Sequence, residues 1–161
     1  MKLKKKNFLL FALILCVLAL VMMFFALSIE KEQSRATFVP PPFDPCAKSG
    51  IPEVPAELGW TELDAKVFRV SVCGVIAPAD TAADVWLLNH EENDVWLKLR
   101  LMDLEGTILG ETGLITEGNY VQTIALTTVP ETGTPIVLKV MAYEPETYYS
   151  AGSVSINTYI Y

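Results

Sequence analysis

The feature that most constrains this chain is an unbroken run of 20 apolar residues, from Phe8 to Leu27. At the helical rise of about 1.5 Å per residue, a helix of this length spans about 30 Å, the thickness of a bilayer core. The run contains no proline or glycine, and its leucine, alanine, phenylalanine and methionine residues favour a continuous helix. The sequence therefore predicts one transmembrane helix at residues 8–27, with the lipid bilayer as its partner.

The charges on either side of this run predict its orientation. Residues 1–7 contain four lysines and no acid, whereas Glu30-Lys31-Glu32 follows the run. Because basic segments stay on the cytoplasmic side, we expect a cytoplasmic tail at residues 1–7 and an extracytoplasmic C-terminal domain in a single-pass protein of the cell membrane. A cleaved signal peptide is the alternative, since residues 26–28 resemble a cleavage site. The length of the run favours a retained signal anchor.

The rest of the chain is acidic. Residues 1–27 carry a net charge of +4, whereas the other 134 residues carry 8 bases and 19 acids, or −11. Phosphate contacts need clustered lysine and arginine, and the acidic part has no basic stripe. Nucleic acid is therefore not an expected partner.

A proline-rich segment, residues 28–64, follows the apolar run. It holds six of the ten prolines, and Pro40-Pro41-Pro42 favours polyproline geometry. We expect a stalk that lifts the C-terminal domain off the membrane. Phe43, Ile51 and Trp60 are too apolar for a fully solvated linker, so part of the stalk is expected to pack on the domain.

Residues 65–161 consist of short runs rich in valine, isoleucine, leucine, threonine and tyrosine, separated by turn signals every 8–12 residues. The runs predict strands near residues 66–76, 84–89, 95–102, 107–115, 119–128, 135–143 and 153–160. Seven short strands with one apolar face each, and no helical periodicity between them, are typical of an antiparallel β-sandwich of immunoglobulin-like type. The expected fold class is therefore an all-β exported domain preceded by one transmembrane helix, and a small barrel is the alternative.

Two of the three cysteines, Cys46 and Cys73, lie in the part predicted to be exported. A disulfide is chemically permitted there and would close a loop of about 27 residues, worth roughly 3–4 kcal/mol on the loop-entropy model. It would fasten the stalk to the first strand. The alternative is a pair of reduced, partly buried cysteines.

The sequence offers no familiar catalytic, metal or cofactor motif. His90 is the only histidine, which excludes a metal site with two imidazoles, and no phosphate-binding glycine loop occurs. The acidic turns fit no calcium-loop spacing. We therefore expect no cofactor, no metal and no enzymatic activity. A hydrolase that uses paired carboxylates is the alternative from another class.

Aromatic residues are the most suggestive candidates for a binding site. Exposed rings offer flat apolar area at a small entropic cost, which suits a partner surface or a sugar ring. Several lie on predicted loops or outward strand faces. The predicted partner-binding residues are Trp96, Tyr143, Tyr148, Tyr149, Tyr159 and Tyr161.

Three segments, residues 110–115, 118–121 and 139–152, are similar to small uncharacterised single-anchor proteins of Gram-positive bacteria. The resemblance implies an extracytoplasmic β-sandwich and a location in the cell envelope, without an established activity. Together with the residues above, it leads us to expect a non-catalytic interaction or structural module. Its expected partner is an envelope protein bound through the aromatic face, with cell-wall glycan as the alternative.

Overall fold

The computed structural model describes residues 8, 13, 15–23 and 38–161, in two compact units, Met1–Val39 and Pro40–Tyr161. Residues 15–23 are helical. Among the residues that the structure describes, no helix combines the length and the apolar character needed to cross a bilayer. The predicted cytoplasmic tail and part of the predicted helix at residues 8–27 lie outside the described residues.

The second unit is built from two antiparallel sheets, which confirms the predicted all-β class. One sheet has the strand order β1-β8-β5-β3-β2, with β4 paired to β5, and the other has the order β10-β9-β6-β7. The strands are β1 (Lys48–Ser49), β2 (Trp60–Asp64), β3 (Arg69–Cys73), β4 (Ala77–Ala79), β5 (Ala82–Asn89), β6 (Trp96–Met102), β7 (Ile108–Glu111), β8 (Asn119–Ala125), β9 (Pro135–Tyr143) and β10 (Ser150–Tyr159). Each of the seven predicted strands overlaps one of these, and β1, β2 and β4 are additional.

The two sheets enclose a common hydrophobic core to which strands of both contribute. In β6, Leu97, Leu99 and Leu101 are fully buried, while Trp96 and Arg100 are only partly covered. Successive side chains of a strand point to opposite faces, so this alternation places the leucines between the sheets. The other face of β6 carries Trp96, Lys98 and Arg100, of which Lys98 is buried.

Much of the predicted stalk belongs to the compact unit, which begins at Pro40. Strand β1 lies at one edge of its sheet and β2 at the opposite edge, so residues 50–59 cross a face of that sheet. The inner face packs against the second sheet, so this crossover segment runs over the outer face. Pro52 within it is buried, and Leu58 at its end is part of the hydrophobic core. Residues 40–64 of the predicted stalk thus belong to this second unit, and residues 28–37 lie outside the described residues.

The predicted disulfide between Cys46 and Cys73 is wrong for this structure, in which both are free thiols. Cys46 is exposed just before β1, whereas Cys73 is buried at the end of β3. Strands β8 and β5 lie between β1 and β3. Three strand spacings amount to about 14 Å, well beyond the Cα separation of about 4.4–6.8 Å that a disulfide spans.

Burial, followed by the charge of Asp84, raises the pKa of the Cys73 thiol to about 12.

Candidate functional site

An aromatic cluster, defined as Phe43, Trp96 and Tyr148, lies on the outer face of the β10-β9-β6-β7 sheet. The Trp96 ring meets the Phe43 ring edge to face at a centroid distance of 4.8 Å and an angle of 73°. It meets the Tyr148 ring at 5.4 Å and 62°. Edge-to-face geometry is the favoured arrangement of aromatic pairs at these distances. Trp96 is therefore the central ring of a group drawn from three separate segments of the chain.

The backbone around Asp44 places Phe43 beside Trp96. The Asp44 N–H donates to the Leu114 carbonyl at 2.9 Å, and the Asp44 carboxylate accepts the Gly113 N–H at 2.8 Å. A Cβ atom at Gly113 would lie 2.5 Å from the Asp44 nitrogen, closer than real Cβ contacts allow. The absence of a side chain at Gly113 is thus what permits the segment that carries Phe43 to dock.

Tyr148 reaches the cluster from the tight loop between β9 and β10. Its N–H donates to the Glu144 carbonyl at 3.0 Å, and the Glu144 N–H donates to the Tyr149 carbonyl at 2.8 Å. Tyr148 has a φ of 58°, a left-handed conformation that is uncommon for a residue other than glycine. These hydrogen bonds and the contact with Trp96 hold the residue there. The loop conformation therefore places the Tyr148 ring against Trp96.

An ion-pair group lies next to the cluster along the outer face of β6. Glu111 Oε1 accepts from Lys98 Nζ at 2.9 Å, and Glu111 Oε2 accepts from Arg100 Nε at 2.9 Å. Partial burial raises the pKa of Glu111, but the hydrogen bonds from Lys98 and Arg100 outweigh it, so the pKa lies below the ordinary value of 4.5. The group thus joins two cations and one anion on the face of β6 that also carries Trp96.

The structure divides the six predicted partner-binding residues into two groups. Trp96 pairs with Tyr143, the last residue of β9, and Tyr148 and Tyr149 follow in the next loop. Tyr159 instead pairs with Pro135, the first residue of β9, and Tyr161 follows it. Eight strand residues separate the two ends, or about 27 Å. The predicted single aromatic face is thus one cluster and, at the far end, a pair of exposed tyrosines.

Phe43 is the member of the cluster that the strand pattern does not reveal. It lies in the proline-rich segment, far in sequence from β6, and reaches Trp96 only through tertiary contacts. Its apolar character within that segment was the available signal. It indicated packing on the domain without indicating where.

A cavity of about 330 Å³ opens on the other sheet, between the crossover segment and the end of β5. Inside it, Ser71 Oγ lies 2.8 Å from His90 Nε2. His90 Nδ1 is 4.0 Å from the nearest oxygen of Glu92, which is too long for a hydrogen bond that would orient the ring. Ser71 is only 1% exposed, in the middle of β3. The contact with His90 therefore satisfies a buried hydroxyl.

Acidic residues do not gather into a cation site in the described part of the chain. No group of three or more histidine, cysteine, aspartate or glutamate residues within residues 8, 13, 15–23 and 38–161 has the geometry to hold a metal ion. An acidic side chain in these turns can instead accept a hydrogen bond from the backbone of its own turn. The Asp103 carboxylate, for example, accepts the Thr107 N–H at 2.8 Å. That bond is the main reason why the pKa of Asp103 is lowered.

No known protein family matches this sequence, and no curated protein is found to be similar to it. Inference about function therefore rests on the geometry of the chain's own side chains.

Proposed function

We propose that this protein is a membrane-anchored, non-catalytic interaction module of the bacterial envelope that binds an envelope protein through the aromatic cluster and the neighbouring Tyr143 and Tyr149. The observation that carries the proposal is the gathering of three rings from three distant segments around Trp96 on an outer sheet face. A partly covered tryptophan fixed between two other rings resembles the anchor residues of protein interfaces.

The composition of this surface supports a protein partner. Tryptophan, tyrosine and arginine are the residues that contribute most to interface energies, and Arg100 lies two strand positions from Lys98 and four from Trp96 on the same face. Because the rings of Phe43 and Tyr148 already pack against Trp96, little side-chain freedom is lost on binding. Tyr149, which is 72% exposed, supplies additional contact area at the rim.

The strand connections support the immunoglobulin-like form of the sandwich. Strands β3, β5 and β8 are adjacent in one sheet, and β7, β6, β9 and β10 follow one another across the other. This arrangement corresponds to the A-B-E and C′-C-F-G strands of immunoglobulin-like domains. In such domains the ends of the sandwich and its sheet faces are common binding surfaces, which agrees with the position of the aromatic cluster.

The apolar run at residues 8–27 and the lysines before it support attachment to the cell membrane, with residues 1–7 in the cytoplasm and the sandwich outside. We expect the full chain to sediment with membranes and external protease to degrade the sandwich on intact cells. The readout is an immunoblot against a C-terminal tag, with a cytoplasmic protein as the control for lysis. Recovery of a soluble fragment that begins near Ile29 would contradict the retained anchor and indicate a cleaved signal peptide.

The binding surface is tested by placing a photo-crosslinking amino acid at Tyr149 in native membranes. Leu104 serves as the control, since it is similarly exposed and follows β6 at the far end of the same sheet, away from β10. We expect a discrete protein adduct from position 149 that is absent from position 104. An adduct that disappears after digestion of the cell wall would favour the glycan alternative, and equal adducts at both positions would contradict the proposed surface.

A further inference from the structure

Strand β10 lies at an edge of its sheet, because the strand order places β9 on one side of it only. The Ile160 N–H donates to the Thr134 carbonyl on the β9 side, whereas Tyr159 and Tyr161 bond to Ile76 on the opposite side. Backbone groups of alternate residues in a strand point to the same side. The N–H and C=O groups of Ser153, Ser155 and Asn157 therefore point away from β9.

These outward backbone groups have no hydrogen-bond partner among the described residues of this chain. A β-bulge lies between Ser150 and Gly152 at one end of β10, and Ile76 covers the other end at Tyr159–Tyr161. Between them the edge has neither a charged residue nor a proline, two further features that protect such strands. The rest of the compact unit is strongly charged, with 17 acids and 6 bases between residues 40 and 161. The uncovered stretch, residues 153–157, is therefore a template for pairing with another strand.

We propose that β10 pairs with β10 of a second copy of this chain, in antiparallel register centred on Ser155. In that register Ser155 faces Ser155 of the second copy, and Ser153 faces Asn157, so all outward groups of this stretch exchange hydrogen bonds. The two four-stranded sheets join into one continuous sheet of eight strands. The absence of charge on β10 means that two acidic domains approach each other through their neutral edges.

Side chains on the core face of β10 favour a second copy over an unrelated strand. Val154 and Ile156 pack against the core but stay partly exposed at the open edge of the sheet. In the register centred on Ser155, Val154 lies opposite Ile156 of the second copy, and Ile156 lies opposite Val154. Two β-branched pairs at non-hydrogen-bonded positions are favourable cross-strand neighbours. The edge is therefore complementary to itself in both backbone and side chains.

The test compares the oligomeric state of the full chain in detergent micelles for the wild type, Ser155→Pro and Ser155→Ala. Proline removes the outward N–H of residue 155 and leaves the hydrogen bonds to β9 intact, whereas alanine keeps the N–H. By analytical ultracentrifugation we expect a concentration-dependent dimer for the wild type and Ser155→Ala. The dimer of Ser155→Pro should be at least about tenfold weaker, with an unchanged circular dichroism spectrum.

Amide hydrogen exchange supplies a second readout that does not depend on how well the proline variant folds. In the wild type, the amides of Ser153, Ser155 and Asn157 should become protected as protein concentration rises. A wild type that stays monomeric at the highest attainable concentration, or equal dimers for all three chains, would overturn the proposal. Protection that appears only when a membrane extract is added would assign the edge to a strand of another protein, which would also overturn self-pairing.

Discussion

Replacing Trp96 with alanine should reduce partner binding by about 2–4 kcal/mol, or roughly thirtyfold to a thousandfold in Kd. Trp96 is the ring that both Phe43 and Tyr148 contact, at centroid distances of 4.8 and 5.4 Å. Its loss therefore removes the central contact area and also leaves the other two rings without their common neighbour. The measurement is the yield and concentration dependence of the photo-crosslinked adduct from position 149.

The control for this substitution is Tyr159→Ala, which removes an exposed ring at the far end of the same sheet. It should leave the adduct unchanged. Because Trp96 is partly covered, Trp96→Ala is also expected to lower the free energy of unfolding by about 1–2 kcal/mol. Binding is therefore compared per folded molecule. A variant that loses stability but binds as well as the wild type would show that the rings serve only to cover the sheet.

Replacing Asn89 with alanine should lower the free energy of unfolding by about 2–4 kcal/mol. The Asn89 side chain is fully buried, and its amide donates to the carbonyls of Val95 at 2.8 Å and Ile115 at 2.9 Å. Its carbonyl oxygen accepts a hydrogen bond from Asn93 at 2.6 Å. Without the amide, the Val95 carbonyl loses this donor and the Ile115 carbonyl keeps only the Leu97 N–H. An unsatisfied buried polar group costs more than an average hydrogen bond contributes. Urea or thermal unfolding measures the loss.

The matched control is Asn157→Ala, since Asn157 is exposed on β10 and its removal should change stability by less than about 0.5 kcal/mol. Asn89→Asp distinguishes the loss of the two hydrogen-bond donors from the loss of side-chain volume. Aspartate has nearly the same shape as asparagine, but its carboxylate has no N–H to donate to the carbonyls of Val95 and Ile115. We expect it to be as destabilising as alanine. An Asn89→Ala variant as stable as Asn157→Ala would contradict the assigned role.

Asn89 also connects the stability of the domain to its candidate site. Its hydrogen bond to Val95 lies immediately before Trp96, at the start of β6. A loosened turn between β5 and β6 would therefore displace the central ring of the aromatic cluster. We infer that weak binding by Asn89→Ala would follow from lost structure, which the unfolding measurement distinguishes from the direct effect of Trp96→Ala.

Alternation of apolar and polar residues in the sequence was sufficient to identify the class of the domain and most of its strands. In β6 the leucines at 97, 99 and 101 alternate with Trp96, Lys98 and Arg100, and the structure buries the leucines as that pattern predicts. The reason is local: successive side chains on any strand face opposite sides, so the pattern records which side meets the core. Turn residues between the runs separated one strand from the next in the same way.

Pairing between distant segments was decided by the tertiary structure. Nothing local in the proline-rich segment predicted that β1 and β2 would join opposite edges of one sheet, because edge pairing depends on backbone groups that every residue has. The same choice of edges placed Cys46 and Cys73 too far apart for a disulfide. It also brought Phe43 to Trp96, a contact between residues 53 positions apart in sequence.

The sequence pattern predicts which face of the sheet a side chain occupies. It does not predict where along the sheet that side chain lies relative to residues of other strands. Tyr143 and Tyr159 both follow the outward pattern of their strands, yet the register of β9 and β10 places them at opposite ends of the sheet. Register is set by the hydrogen-bonded pairing of the two strands and by the length of the loop that joins them. The alternation of apolar and polar residues along one strand contains no information about either. The sequence alone therefore determined an all-β domain with outward aromatic residues, while the fold decided which of them meet.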